Sequence, residues 1–316
     1  EYAEYGEFYS MMVFSIVGMM LIAHSNSLLV LFIGIELMTI SFYVLSGFFR
    51  KREKSVESAV KYFLLGSFAT GFLLYGMAMI YGSTGHISFT EISSALAIGA
   101  YTPLYLLIGM GLLIVGLSFK IAAFPFHQWA PDVYEGAPTV VTGFMSTAGK
   151  IAAAAAFIIV SKSMLTGAMQ NCEATKYFGN YSFIVAIISV LTMFVGNISA
   201  LVQTNVKRML AYSSISHAGY LLMGIAAGTE MGYSAIGFYS AAYLFMQFGA
   251  FAVVSAIEKN GEMMNLDDYS GLSQTQPLLA AMMSVFMFSL AGLPPFAGFL
   301  GKYYLFAAAV KSNMVW

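Results

Sequence analysis

Residues Leu28–Phe49 read LLVLFIGIELMTISFYVLSGFF, and this stretch decides the fold. It is apolar throughout apart from one charge, Glu36, which lies well inside the run. About 20 such residues cross the hydrocarbon core of a bilayer as a helix. The period-2 alternation of a barrel strand is absent, and lipid admits only helices or closed barrels. Runs of the same kind recur near Phe8–Ala23, Ser58–Tyr81, Pro103–Phe126, Pro138–Lys162, Tyr181–Gln203, Met209–Gly228, Tyr233–Ile257 and Pro277–Val310. The expected fold class is therefore an all-α integral membrane bundle of about nine spans, the last long enough to be broken.

Composition agrees. Hydrophobic residues make up 59% and charged residues 9% of the chain, with a mean hydropathy of +0.78. A water-soluble domain carries about 25% charged residues, so most of this surface must face lipid. The net charge of −1 gives no reason to expect a nucleic acid or an acidic substrate. The single cysteine excludes an intrachain disulfide and any Cys-clustered iron–sulfur or zinc site. Glu1 is not an initiator Met, and Trp316 falls in apolar sequence, so both ends are expected to be those of a fragment.

Basic residues orient the bundle. The loop Arg50–Lys54 (RKREK) and the pair Lys207–Arg208 fall on one side, whereas Gly82–Thr102 has neither Lys nor Arg and lies on the other. The RKREK side is expected to be cytoplasmic. Lys207 and Arg208 are read as topology determinants. The two halves also resemble each other: SAVKYF at Ser58–Phe63 matches SAIGFY at Ser234–Tyr239, and YVLSG at Tyr43–Gly47 matches YLLMG at Tyr220–Gly224. A common offset predicts a duplicated five-span unit, residues 8–162 and 181–316, with the second copy lacking its fifth span. An odd number of spans makes the copies inverted.

The chemistry lies in ionisable groups at membrane depth, each costing roughly 2.5–3.5 kcal/mol on insertion scales. Glu36 is too short to snorkel out of its span. Lys120 precedes Pro125, which frees the carbonyl of Ile121 and suggests a helix broken around a cavity. Lys150 opens a run of small residues that lets a neighbour approach, so it is expected to face the interior. Lys302 follows a second break at Pro294 and Pro295. Lys61, His127 and His217 are secondary candidates: Lys61 lies near a span end within reach of water, His127 near a helix end, and His217 in a polar stripe. Desolvation favours a neutral amine and a nearby carboxylate favours the charged one. A row of such groups joined by water passes protons stepwise. No Rossmann glycine fingerprint or paired haem histidines are present.

These residues carry a resemblance. FPFHQWAPDVYEGAPT at Phe124–Thr139 closely resembles the signature of the N-type subunit family of bacterial respiratory complex I. VKRMLAYSSI at Val206–Ile215 and GLPPFAGF at Gly292–Phe299 resemble motifs shared with Mrp-type antiporters and membrane hydrogenases. The resemblance covers essentially the whole chain, as helices four to twelve of a subunit that typically has fourteen. It implies a proton channel in the membrane arm of an NADH:quinone oxidoreductase, in the bacterial plasma (inner) membrane. Glu36 then matches the family's fifth-helix glutamate, and Lys61 a sixth-helix lysine. Lys120, Lys150 and Lys302 match the lysines of the broken seventh, the eighth and the broken twelfth helices. No cofactor is expected on this chain: NADH, FMN, iron–sulfur clusters and quinone would belong to partner subunits, and its own partners would be other membrane-arm subunits. The alternatives are an Mrp-type cation/proton antiporter subunit and a structural membrane subunit whose buried charges are static pairs.

Overall fold

The computed structural model of the protein describes residues 5–258 and 264–314. The chain ends, on which the reading of a fragment rests, fall at Glu1 and Trp316, outside the described residues. In order the helices are α1 (Gly6–Ala23), α2 (Leu28–Ser46), α3 (Glu53–Thr84), α4 (Phe89–Ile98), α5 (Pro103–Ile121), α6 (Trp129–Gly136), α7 (Thr139–Phe144), α8 (Lys150–Ala168), α9 (Cys172–Leu201), α10 (Val206–Ala227), α11 (Glu230–Ile257), α12 (Leu272–Thr275), α13 (Pro277–Ala291) and α14 (Ala297–Lys311). A π-helical stretch, Met145–Gly149, joins α7 to α8, making one 30-residue rod from Thr139 to Ala168. Among the described residues, seven helices are long and apolar enough to cross a membrane. The two remaining expected spans correspond to α10, which carries Lys207, Arg208 and His217, and to the pair α13–α14 with the break between them.

Several helices outrun their apolar cores. α3 begins at Glu53 rather than Ser58 and α9 at Cys172 rather than Tyr181, because helices continue past the membrane boundary through polar residues that hydropathy discounts. α5, by contrast, stops at Ile121 instead of Phe126. Ala122 takes the left-handed conformation (φ 59°) and ends the helix before Pro125 is reached. The connection Gly82–Thr102 contains the short helix α4, which packs on α8 through Phe89, Ile92, Ala95 and Leu96.

The distribution of side chains is that of a protein dissolved in lipid. Phe68 is 74% exposed and Leu64 54%, while Lys150 is 1% exposed. Apolar groups therefore face outward and the costly polar ones inward, the reverse of a water-soluble surface.

The backbone repeats itself. Ser27 forms an antiparallel bridge with Ser88, with the Leu28 N–H donating to the Ile87 carbonyl (2.9 Å) and the Phe89 N–H to that of Asn26 (3.0 Å). Asn205 forms the same bridge with Asn265, through Val206 to Met264 (2.7 Å) and Leu266 to Thr204 (2.9 Å). The α1–α2 crossing is so close that a Cβ on Gly18 would lie 2.6 Å from the Met38 nitrogen; at the α9–α10 crossing, a Cβ on Gly196 would lie 2.6 Å from that of Ser216. The breaks correspond as well. The Ala123 N–H donates to Ser118 (2.8 Å) after α5, as the Leu293 N–H donates to Phe288 (3.1 Å) after α13, and Gly292 is left-handed like Ala122.

Candidate functional site

α2, α3 and α5 bring Glu36, Thr70 and Lys120 together. Gly18 lets α1 approach α2, and α2 begins under a cap in which Ser27 accepts from the Val30 N–H. Glu36 lies two turns further along α2. The Lys120 side chain is 1% exposed and its Nζ stands 3.7 Å from Glu36 Oε1. That separation is longer than an N–H···O hydrogen bond. The link runs instead through a hydroxyl: Lys120 Nζ donates to Thr70 Oγ1 (3.3 Å), and Thr70 Oγ1 donates to Glu36 Oε1 (2.8 Å). Thr39 Oγ1 lies 3.5 Å from the same ammonium and donates in turn to the Ile35 carbonyl. The break beside Lys120 is held by neighbours: the Phe124 N–H donates to Thr192 Oγ1 on α9 (2.9 Å), and Trp129 Nε1 to the Phe119 carbonyl (3.0 Å).

Lys150 follows the π-helical stretch, which shifts the register of the rod there. Its Nζ donates to the Ser214 carbonyl of α10 at 2.8 Å. The interior placement expected from the small residues after it is the one observed. His217, one turn beyond Ser214, hydrogen-bonds through Nδ1 to the Tyr239 hydroxyl of α11 and lies beside Tyr243, whose hydroxyl donates to the Ser146 carbonyl (3.1 Å). Lys302 reaches back across the second break from α14 and donates to the last carbonyls of α13, Leu290 (2.8 Å) and Ala291 (3.2 Å), with its ammonium 4.8 Å from the centre of the Tyr220 ring. A cation is favourable at that helix end. Pro294 and Pro295 lie in the connection between these helices.

Lys61 stands apart from these groups. Lys61 is in an ionic cluster at one end of the bundle, 2.9 Å from Asp132 and 2.7 Å from Glu57. His127 occupies the turn before α6, its ring against Phe124 and within electrostatic reach of Lys150. Lys207 and Arg208, read from sequence as orientation signals, are also structural. Lys207 is buried and donates to the Ala137 carbonyl (2.7 Å), while Arg208 clamps Asp132 (2.7 Å) and Glu135 (2.9 Å) of α6. Burial works to raise the pKa of both carboxylates, but bonds from Lys61 and Arg208 to Asp132, and from Lys54 and Arg208 to Glu135, outweigh it and hold both below the usual range. Among the described residues, no group of three or more His, Cys, Asp and Glu side chains is placed to hold a metal ion.

The residues that sequence reading missed are Thr39, Thr70, Tyr239 and Gln247. Thr39 carried a local signal, since it lies one turn from Glu36 on the same helix. The others become visible only once α3 and α11 are docked.

Membrane-length helices interrupted beside buried lysines, with carbonyls and hydroxyls as the lysines' partners, define a multi-pass membrane protein with broken helices. The chain belongs to the family described as NADH:quinone oxidoreductase/Mrp antiporter, TM, which it matches over residues 25–316. It is 49% identical over 316 residues to NADH-quinone oxidoreductase subunit N 1 of Chloroherpeton thalassium, covering 100% of this chain and 65% of that protein. It is 52% identical over 318 residues to NADH-quinone oxidoreductase subunit N of Trichlorobacter lovleyi, covering 100% of this chain and 63% of that one. The chain thus spans somewhat less than two thirds of these relatives. Among solved structures it is similar to a chain of respiratory complex I from Thermus thermophilus with bound aureothin (TM-score 0.81, 38% identity, 97% of this chain and 64% of that one). It is also similar to a chain of the Mrp complex from Dietzia sp. DQ12-45-1b (TM-score 0.84, 25% identity, 96% and 55%).

Proposed function

We propose that this chain is a proton-translocating membrane-arm subunit of an NADH:quinone oxidoreductase, passing protons along Glu36, Lys120, Lys150 and Lys302. His217 serves as a neighbouring polar group on the same route. The observation that carries the reading is the hydrogen-bonded run Lys120–Thr70–Glu36 in the bundle interior. A static pair would be expected to close into direct contact; here the charges are held 3.7 Å apart around a hydroxyl that can both accept and donate. When such a pair opens, the carboxylate's hold on the ammonium weakens and a proton is released to the next site. In this reading NADH, FMN, the iron–sulfur clusters and quinone belong to partner subunits, and redox work elsewhere opens and closes the pair.

Residues 8–162 and 181–316 act as two inverted units, a division supported by the matching bridges, crossings and breaks. Lys61 acts in the end cluster with Asp132 rather than in the row, and His127 shapes the first break.

The test is Lys150→Ala in the assembled complex reconstituted in liposomes. NADH-driven acidification is expected to be lost while the complex still contains this chain. Wild-type acidification in an assembled variant would sink the proposal, and sodium-for-proton exchange without NADH would favour an antiporter instead.

A further inference from the structure

One shift relates the inner helices of the two halves: it takes Gly18 to Gly196, Ser27 to Asn205 and the Met38 nitrogen to that of Ser216. The same shift places Glu36 on Ser214 and Thr39 on His217. A shift one residue shorter relates α3 to α11. It takes Glu53 to Glu230 at their first residues and Ser88 to Asn265 beyond their ends. It also takes Ser55, whose hydroxyl donates to the Ser46 carbonyl (2.8 Å), to Gly232, where a Cβ would lie 2.6 Å from the Gly224 carbonyl. This shift places Thr70 on Gln247. Matching Ala122 with Gly292 at the breaks places Lys120 on Leu290.

The second half therefore has the geometry of the first with its charges removed: Ser214 for Glu36, and Leu290 for Lys120. The cations arrive from elsewhere. Lys150 donates to the carbonyl of Ser214, and Lys302 to the carbonyl of Leu290, both at 2.8 Å. Two lysines are thus bonded to the backbone of the very residues that stand where Glu36 and Lys120 stand. The residue in the place of Thr70 is Gln247.

Gln247 is fully buried. Its Nε2 donates to the Leu210 carbonyl of α10 (3.1 Å), one turn before Ser214, and among the described residues its Oε1 has no hydrogen-bond partner. The Ser214 hydroxyl on the facing helix lies within reach of the Tyr134 and Tyr243 hydroxyls. Holding α10 to α11 requires only the amide nitrogen. A buried acceptor left open is a site for water, which satisfies such groups in protein interiors.

We propose that Gln247 is the bridging residue of the second half, carrying the hydrogen-bonded connection between Lys150 and Lys302 as Thr70 carries that between Lys120 and Glu36. It takes no excess proton itself. Nε2 anchors the amide to α10, and Oε1 accepts an O–H from water and orients it. The proton given up by one lysine's ammonium is the proton gained by the other's amine, so charge is conserved along the bridge.

The proposal rests on the proton-translocation reading, and the experiment separates the two. Gln247→Thr and Gln247→Val have the same shape and differ by one hydroxyl. In the intact complex in liposomes, with assembly and quinone reduction measured alongside, Gln247→Thr, which keeps a hydroxyl but loses the anchor to α10, is expected to retain a larger share of the wild-type acidification rate than Gln247→Val. Gln247→Val is expected to fall at least about fivefold, the worth of one hydrogen bond. Equal rates in the two variants, whether both high or both low, overturn the bridge. If Lys150→Ala still translocates protons, the functional reading itself fails; if it is inactive while Thr and Val variants match, only the role of Gln247 falls.

Discussion

Replacing Thr70 by Val removes one hydroxyl and keeps both the β-branch and the volume. The hydroxyl accepts from Lys120 at 3.3 Å and donates to Glu36 at 2.8 Å, whereas the direct gap between the charges is 3.7 Å. The variant therefore deprives a carboxylate of a donor and an ammonium of an acceptor, while leaving the Coulomb attraction in place. A hydrogen bond to a charged group contributes about 1.5–3 kcal/mol. Two such bonds are lost, but the ammonium keeps the Thr39 hydroxyl at 3.5 Å as an acceptor. One bond's worth is the appropriate net figure, and with about 1.4 kcal/mol per factor of ten it corresponds to roughly a 10- to 100-fold change in the equilibrium between the closed and open pair. The assay is NADH-driven acidification of liposomes carrying the complex, with quinone reduction followed in parallel. Proton translocation in Thr70→Val is expected to fall about tenfold or more, and Thr70→Ser to retain most of it, because Ser restores the hydroxyl. Acidification within twofold of wild type in an assembled Thr70→Val complex would refute the reasoning. The two charges would then communicate without the hydroxyl, and the 3.7 Å gap would have no functional meaning.

Two further outcomes follow from other parts of the bundle. A Cβ on Gly18 would lie 2.6 Å from the Met38 nitrogen, whereas one on Gly71 meets nothing within 4 Å; Gly18→Val is therefore expected to cost about 1–3 kcal/mol by overpacking and to lower the yield of assembled complex, with Gly71→Val as the silent control. A low yield from both variants would remove the α1–α2 crossing as the cause. The carboxylates of Asp132 and Glu135 are held below the usual range by Arg208 together with Lys61 and Lys54, so their folded pKa values lie under the unfolded ones. Their contribution is fully present above about pH 4 and is lost as pH falls through the lower folded values. Arg208→Gln is thus expected to lower thermal stability at pH 7 more than at pH 3, measured in detergent, and an equal loss at both values would rule out the ionic clamp.

The sequence made some of this legible and hid the rest for identifiable reasons. Glu36, Lys120 and Lys150 were found because charge inside an apolar run is costly wherever it occurs, independent of what it touches. Their partners were not found, because Thr70 and Gln247 are unremarkable to a hydropathy reading and acquire meaning only when α3 and α11 dock against α2 and α10. Lys207 and Arg208 show the converse. Their place at a span end suggested topology, but the fold of α6 brings Asp132, Glu135 and the Ala137 carbonyl to them. The first break was anticipated from Pro125, yet the helix ends at Ile121 because Ala122 turns left-handed, a backbone choice that the residue type does not advertise.

The lone carboxylate of the row gains a physical sense from this geometry. In the first half a cation and an anion face each other across a hydroxyl, so the state of each depends on the other. In the second half both ammonium groups rest on backbone carbonyls, dipoles that cannot be titrated away. Lys150 stands where the halves meet: it lies on the fifth and last span of the first unit, yet it is bonded to α10 of the second. A change in the Glu36–Lys120 pair therefore has a fixed, non-titrating frame to act against on the far side of Lys150. A second carboxylate at Ser214 would supply Lys150 with its own ion pair and trap the charge there. By this argument Ser214→Glu should block proton translocation as completely as Lys150→Ala does, measured by the same acidification of liposomes, although it adds a proton-binding group to the row. A variant that still pumped would show that the neutrality of the second half is incidental.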